Sequence, residues 1–217
     1  MSIELFFELL HSSWQTIYRV LLSGFIAFIV GIPLGIILLI TRQNNLMPGK
    51  FMHGSLGFLV NIVRSIPFII LMVAVIPLTR LLVGTSIGTT AAIVPLSLAA
   101  IPFVARMIEN ALSEVAEGLV ETGHAMGATP LQIIRSILLV EARPGVINCM
   151  TITLINLIAY SAMAGAIGGG GLGDLAIRYG YQRFNMTVML ATIIVLVLMV
   201  QLLQYLGNWL SLRYSHR

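Results

Sequence analysis

Residues 20–41 read VLLSGFIAFIVGIPLGIILLIT, a run of 22 residues without a charged side chain. An α-helix needs about 20 apolar residues to cross a membrane hydrocarbon core of about 30 Å. This stretch is therefore predicted to be a membrane-spanning helix. It decides the fold class, because the same pattern recurs through most of the chain.

Three other charge-free runs are at least as long, with 25 residues at 81–105, 30 at 144–173 and 29 at 184–212. The run at 65–79 has only 15 residues, so it reaches a spanning length only if its helix covers 61–82. Arg64 and Arg80 would then lie near its ends, where long side chains reach the headgroup layer. The chain is thus predicted to be an all-α integral membrane protein with one transmembrane domain over 1–217. Its five spanning helices are expected near residues 18–41, 61–82, 86–108, 144–167 and 187–210.

The composition agrees with a membrane protein, because 58% of the residues are hydrophobic and only 9% are charged. About a quarter of the residues are charged in an ordinary soluble domain. The net charge of +4 is scattered along the chain and forms no dense basic patch, which argues against nucleic-acid binding. Cys149 is the single cysteine, so the chain has neither an intrachain disulfide nor a cysteine-cluster metal site.

Residues 1–17 are predicted to form a separate amphipathic helix in the outer membrane interface. Phe6, Phe7 and Trp14 lie on its apolar face, and Glu4 and Glu8 lie on its polar face.

The orientation follows from the basic residues, which are enriched in cytoplasmic loops. An odd number of spans places the termini on opposite sides of the membrane. With the C-terminus inside, seven basic residues are cytoplasmic: Arg42, Lys50, Arg106, Arg135, Arg143, Arg213 and Arg217. Four are outside: Arg19, Arg80, Arg178 and Arg183. The excess predicts a periplasmic N-terminus and a cytoplasmic C-terminus.

One polar segment, residues 109–143, is expected to fold outside the bilayer on the cytoplasmic side. Within it, Thr129 is a good helix N-cap, Pro130 suits the first helical position, and Gln132 completes a capping box. A second short helix is predicted before it, from Glu117 to near Gly127. Two short helices joined at an angle would form an elbow that projects from the membrane. On composition alone, a loop packed on its own bundle is an equal alternative.

Spaced residues in this elbow resemble the cytoplasmic Glu-Ala-Ala signature of ATP-binding-cassette importer permeases. In that signature, Glu-Ala-Ala is followed by three residues, Gly, nine residues and Ile-x-Leu-Pro. The matching residues are Glu121, Gly127, Ile137 and Leu139. The departures are Thr122 and Gly123 in place of the alanines and Val140 in place of the proline.

Most of the remaining chain is similar to the methionine-import permease family. The similar stretches are NIVRSIPFII at 61–70, GTSIG at 84–88, AAIVPL at 91–96, PFVAR at 102–106, ENAL at 109–112, MGATP at 126–130, YSAM at 160–163 and GGLG at 170–173. The resemblance implies a type I importer fold in the bacterial inner membrane, in which a homodimer conducts D- and L-methionine. It also implies two copies of an ATPase subunit, which bind ATP and Mg, and an extracytoplasmic methionine-binding protein that delivers the substrate.

The sequence agrees with a separate source of energy, because it lacks the Gly-x-x-x-x-Gly-Lys-Ser/Thr phosphate loop. On the resemblance, one short segment of the elbow should couple the permease to the ATPase. Its residues are Glu121, Gly123, Ala125, Met126, Gly127 and Ala128.

Polar residues in the fourth predicted span recur at helical spacing. They are Thr153, Asn156, Tyr160 and Met163. Hydrogen bonding between helices is one interpretation. The other is a lining of the translocation pathway, with Asn156, Tyr160 and Met163 near a gate. The glycine run at 168–171 is predicted to be a non-helical turn that ends this span.

Other functional classes are disfavoured by features that the sequence lacks. A secondary transporter usually has ionisable residues at the membrane midplane or inverted repeats. A membrane enzyme needs a constellation such as His-Glu-x-x-His. No catalytic residues and no metal site are therefore predicted. A related importer for another amino acid or an osmoprotectant remains an alternative.

Overall fold

The computed structural model describes residues 3–43 and 46–214. These residues form α-helices and two π-helical segments, without a strand, which confirms the predicted all-α fold class. Arg217 and the first two residues of the predicted 1–17 helix lie outside the described residues.

The first helix, α1 (Ile3–Ile40), is continuous over 38 residues. The prediction of a separate interfacial helix at 1–17 is therefore wrong. Serine and threonine residues near the start of α1 fit within the helix, because their hydroxyls donate to backbone carbonyls of the preceding turn. The Ser13 hydroxyl donates to the Leu9 carbonyl at 2.7 Å, and the Thr16 hydroxyl donates to the Ser12 carbonyl at 3.0 Å.

The second predicted span is broken into α2 (Lys50–Ser65), α3 (Phe68–Ala74) and α4 (Ile76–Val83). The axes of α2 and α3 meet at 102°. The break follows from Pro67, which lacks an amide donor and forces the preceding residue out of the helical region. Ile66 accordingly has an extended conformation, with φ −80° and ψ 123°. A continuous helix over 61–82 is thus wrong.

Among the described residues, four helices are long and apolar enough to cross a membrane, and the bent pair α2–α3 would give a fifth span. These four are α1, α5 (Ile93–Ser113), α9 (Arg143–Ala166) and α11 (Met186–Tyr214). The other elements are α6 (Glu117–Ala125), α7 (Pro130–Ile133), a π-helical segment (Ile134–Leu138), α8 (Leu139–Glu141), α10 (Gly171–Leu175) and a second π-helical segment (Ala176–Tyr181).

Close packing of α1 on α5 holds the centre of the bundle. A Cβ atom on Gly31 would lie 2.7 Å from the Val104 Cβ, and one on Gly35 would lie 2.6 Å from the Ala105 carbonyl oxygen. Small residues four positions apart let membrane helices approach closely, because lipid supplies no hydrophobic force between them. The spacing of Gly31 and Gly35 is visible in the sequence, but the sequence analysis missed it.

Candidate functional site

The elbow has the local structure that its sequence predicts. The Thr129 amide donates to the Gln132 Oε1 at 2.8 Å, and the Gln132 amide donates to the Thr129 Oγ1 at 3.4 Å. This reciprocal pair is the predicted capping box, and α7 begins at Pro130 as expected. The two short helices, α6 and α7, are thus confirmed.

The corner between them depends on Gly127, which ends α6 with φ of 76°. The Gly127 amide donates to the His124 carbonyl at 2.9 Å, and the Ala128 amide donates to the Gly123 carbonyl at 3.1 Å. These two bonds form a Schellman motif, which needs a left-handed residue at the position of Gly127. Gly127 therefore fixes the direction in which α7 leaves α6.

Gly123 lies on the inner side of the elbow. It is buried, and a Cβ atom there would lie 2.7 Å from the Ile137 Cδ1 and 3.3 Å from the Ile133 Cγ1. The π-helical segment after α7 carries Ile137 to this position. Gly123 is thus placed to let α6 pack on the second arm of the elbow, whereas the sequence analysis assigned it to the contact with the ATPase.

The outer face of α6 exposes small and apolar residues. Met126 is 75% exposed and Leu119 is 43% exposed. Gly118, Thr122 and Ala125 lie beside them and are also exposed. We call these five residues the outer face of the elbow. Two large apolar side chains are thus exposed on this otherwise polar segment.

Glu121 lies on a different side of α6, where it borders a cavity of about 580 Å³ between the elbow and the end of α1. The charged and polar residues around this cavity are Arg42, Gln43, Ser113, Glu117, Glu121 and His124. The apolar ones are Leu39, Leu46, Leu112, Val115, Val120 and Leu138. The predicted coupling residues are therefore divided between the outer face, the corner, the buried side and this cavity.

At the other end of α9, residues 168–170 of the glycine run form the predicted non-helical turn, whereas Gly171 already begins α10; the run is bound to α1. Arg19 donates to the carbonyls of Gly169 at 2.6 Å and Gly170 at 3.0 Å. In the opposite direction, the Gly171 amide donates to the Gln15 Oε1 at 2.9 Å. The Leu172 amide donates to the Thr16 Oγ1 at 3.0 Å. Four consecutive residues, two in the turn and the first two of α10, are thus hydrogen-bonded to α1, and we call this arrangement the glycine clamp.

The glycines are required by the clamp. Gly170 has φ of 76° and ψ of −168°, a conformation that is essentially restricted to glycine. A Cβ atom there would lie 3.0 Å from the Gln15 Oε1, and one on Gly171 would collide with the Arg19 Nη2.

The position of Arg19 corrects the sequence analysis, which counted it among the loop charges outside the membrane. Arg19 is 0% exposed and lies inside α1. A buried guanidinium is tolerated when its donors are paired, and the glycine carbonyls pair two of them. Two features of the sequence carried this information: a lone arginine before an apolar run, and a glycine run far along the chain. Nothing in their sequence spacing shows that they are in contact.

The proposed gate residues do not form one cluster. Tyr160 stacks on Phe68 of α3, with ring centroids 4.6 Å apart and planes inclined by 8°. Met163 is exposed, and Asn156 is half-buried. Thr153, in the same stripe, is buried and donates to the Cys149 carbonyl at 2.7 Å. The stripe thus combines bonding within α9, packing on α3 and an exposed surface of the single chain.

A polar contact that the sequence analysis did not identify joins α2 to α5. Arg106 donates to the Glu109 Oε2 at 2.7 Å and to the Asn61 Oδ1 at 2.8 Å. The ion pair joins residues three positions apart on α5, so that one arginine serves both helices.

Comparison with known proteins places this fold in a transport family. Residues 31–216 match the family described as the binding-protein-dependent transport system inner membrane component. A probable D-methionine transport system permease protein MetI from Vibrio cholerae is 56% identical over 209 residues, covering 96% of this chain and 93% of that protein. The D-methionine transport system permease protein MetI of Escherichia coli K12 is 51% identical over 165 residues, or 76% of each chain.

Solved structures agree. An inward-facing conformation of the MetNI methionine ABC transporter matches with a TM-score of 0.98 and 48% identity, covering 100% of both chains. An amino acid ABC transporter solved with histidines matches with a TM-score of 0.78 but 16% identity, covering 94% of this chain and 93% of that one. This second likeness concerns the fold alone.

The helical bundle, the elbow and the family match together identify a transport component rather than an enzyme. The chain belongs to the family of binding-protein-dependent transport system inner membrane components.

Proposed function

We propose that this chain is the permease of a methionine importer and that it conducts D- and L-methionine across the bacterial inner membrane. One observation carries this proposal: a methionine transporter chain matches all of this chain with a TM-score of 0.98 and 48% identity. The names of relatives as much as 56% identical point to the same substrate.

Energy is supplied by two ATPase subunits, which bind ATP and Mg and dock on the elbow. The outer face supports this assignment, because Met126 is 75% exposed and is surrounded by small residues that admit a close approach. Ala125 and Ala128 belong to this contact, Gly127 sets its shape, and Gly123 supports it from beneath. Glu121 lies at the edge of the contact, beside the cavity.

The working unit is a homodimer that receives methionine from an extracytoplasmic binding protein. The N-terminus is periplasmic and the C-terminus cytoplasmic. Arg19 lies inside α1 and Arg106 lies inside α5, and leaving both out of the count gives three basic residues outside against six inside, which supports this orientation.

The translocation pathway runs along α9, where Asn156, Tyr160 and Met163 line it. Met163 supports this placement, because a residue exposed on one chain is available to face the second copy. The stacking of Tyr160 on Phe68 would let α3 move with the gate.

Reconstitution tests the substrate and the energy source together. The permease, its ATPase and its binding protein are placed in proteoliposomes, and uptake of labelled L-methionine is measured with and without ATP. Excess unlabelled D-methionine should compete, whereas glycine betaine should not. Competition by glycine betaine but not by methionine would contradict the substrate. Uphill uptake by the permease alone would contradict the energy source.

Met126→Arg tests docking on the outer face. It places a charge in a surface that must be desolvated, so at least about tenfold less ATPase should copurify with the permease. Thr90→Arg is the matched control, because Thr90 is also exposed and lies before α5, at the end opposite the elbow. Equal recovery of the ATPase with both variants would refute the docking site.

A further inference from the structure

The turn before α11 exposes a strained aromatic residue. Phe184 is 88% exposed and has φ of 54°, in a region that bulky residues rarely occupy. Tyr181 and Met186 on either side are 66% and 67% exposed. Packing among the described residues does not cover the Phe184 ring. An apolar phase outside the chain would account for its exposure.

Hydrogen bonds hold this turn in place. The Phe184 amide donates to the Tyr181 carbonyl, and the Asn185 amide donates to the Tyr179 carbonyl, each at 3.3 Å. The Asn185 side chain also caps α11, because its Oδ1 accepts from the Val188 amide at 3.3 Å. The exposed Phe184 ring is therefore held in place by a hydrogen-bonded turn.

Beside the ring lies a cation without a carboxylate partner. The Arg183 guanidinium carbon is 4.5 Å from the centroid of the Tyr179 ring. Among the described residues, no carboxylate lies within salt-bridge distance of Arg183. Arg178 also lies over the Tyr179 ring, at 5.6 Å, but it is paired with Asp174 at 2.6 Å. The hydrogen bond to Asp174 raises the pKa of Arg178, and the negative charge of Glu8 raises it slightly further.

The level of this turn in the membrane follows from α11. From Met186 to Tyr205 and Trp209 the helix rises about 29–35 Å, which matches a hydrocarbon core of about 30 Å. Tyr205 and Trp209 are exposed, and Arg213 lies 5.4 Å from the Trp209 ring. Aromatic and basic residues at both ends of an exposed apolar helix are typical of the two membrane interfaces. Phe184 therefore lies at one interface, with Arg183 among the headgroups.

We propose that Arg183, held by Tyr179, binds the phosphate of an anionic phospholipid, while Phe184 and Tyr181 enter the boundary between headgroups and acyl chains. A guanidinium binds phosphate through two parallel hydrogen bonds, and stacking on a ring fixes the plane of the guanidinium. Phe184 and Tyr181 continue directly into the exposed apolar face of α11. This continuity fits lipid better than a soluble protein. The site is independent of the solute that the permease conducts.

The test uses the permease–ATPase complex, delipidated in detergent. Phosphatidylglycerol or phosphatidylcholine is added, and bound lipid is counted by native mass spectrometry. Arg183→Gln should weaken phosphatidylglycerol binding about fivefold, and inorganic phosphate should not displace the lipid. Arg80→Gln is the matched control, because Arg80 is another exposed arginine but has no ring contact among the described residues, so its loss should weaken phosphatidylglycerol binding less than Arg183→Gln. Phe184→Gly should weaken binding of both lipids.

Three results would overturn the proposal. Equal phosphatidylglycerol binding by Arg183→Gln and the unchanged complex would remove the headgroup contact. Displacement by inorganic phosphate would indicate a site for soluble anions. Unchanged lipid binding together with weaker binding of the extracytoplasmic binding protein would indicate a protein-docking surface. Methionine uptake is measured separately, so failure of the lipid site is distinguishable from failure of the proposed function.

Discussion

Replacing Arg19 tests the glycine clamp, which joins α1 to the turn after α9. In Arg19→Met the apolar stem is largely kept, and the guanidinium is removed. The buried carbonyls of Gly169 and Gly170 then lose donors at 2.6 and 3.0 Å. No other donor to these two carbonyls is present among the described residues.

The expected loss of stability follows from these two bonds. Each buried carbonyl left unpaired costs about 1–3 kcal/mol. Part of that cost is offset, because a guanidinium no longer has to be desolvated and its Nε has no hydrogen-bond partner within the described residues. The free energy of unfolding should fall by about 2–4 kcal/mol. For a chain of this size, that corresponds to a decrease in Tm of roughly 4–16 °C.

The chain supplies its own probe for this measurement. Cys149 is the only cysteine and is buried in α9, so a thiol-reactive fluorophore reports unfolding. The complex is made with a cysteine-free ATPase and heated with the dye. Arg80→Met should shift Tm little, because it alters an exposed arginine. An unchanged Tm for Arg19→Met would refute the clamp as a stabilising contact.

The remaining predictions are pairs of glycine-to-alanine substitutions with opposite signs, each measured as the change in Tm. Gly31→Ala should lower stability by about 1–3 kcal/mol through overpacking on α5, whereas Gly54→Ala, which meets no atom within 4 Å, should raise it by about 0.5–1 kcal/mol. Gly127→Ala should cost about 1–2 kcal/mol at its left-handed position and reduce ATPase copurification, whereas Gly118→Ala, in open space within α6, should stabilise the helix. Equal signs within either pair would contradict the reasoning.

Local signals in the sequence were sufficient for the elbow. The Thr129 and Gln132 capping box and the proline at 130 act within one turn of helix, so nothing distant had to be known. That the chain is a membrane protein was also predictable, because the length of a charge-free run shows directly whether a helix can cross the hydrocarbon core.

Contacts between distant segments were not predictable in the same way. Arg19 has the sequence context of a flanking charge, and only the fold brings the carbonyl of Gly169 to it across 150 positions. The break at Pro67 was missed for another reason. A hydropathy count requires a spanning length but does not require that the helix be straight, and the proline divides α2 from α3 at 102°.

The burial of Gly123 likewise required the structure. A signature in the sequence records that a residue type is needed at a position, but not which side of the helix needs it. Gly127 matches the signature and Gly123 replaces one of its alanines, and the two meet different requirements: Gly123 makes room for Ile133 and Ile137, and Gly127 provides the left-handed turn. A loss of coupling in variants of Gly123 would therefore report altered packing of the elbow rather than loss of a direct contact.

The elbow and the glycine clamp lie at the two ends of α9, which is 24 residues long and so spans about 36 Å. One end continues from the elbow through Arg143, and the other ends in the turn that Arg19 holds. A long helix curves gently, but a sharp kink needs a cause such as a proline or a π-bulge, and the proline of α9 lies at its start. An ATPase that moves the elbow would therefore act on the contact between α1 and the glycine turn. We therefore expect the clamp to be displaced when the ATPase moves the elbow, in addition to its effect on stability.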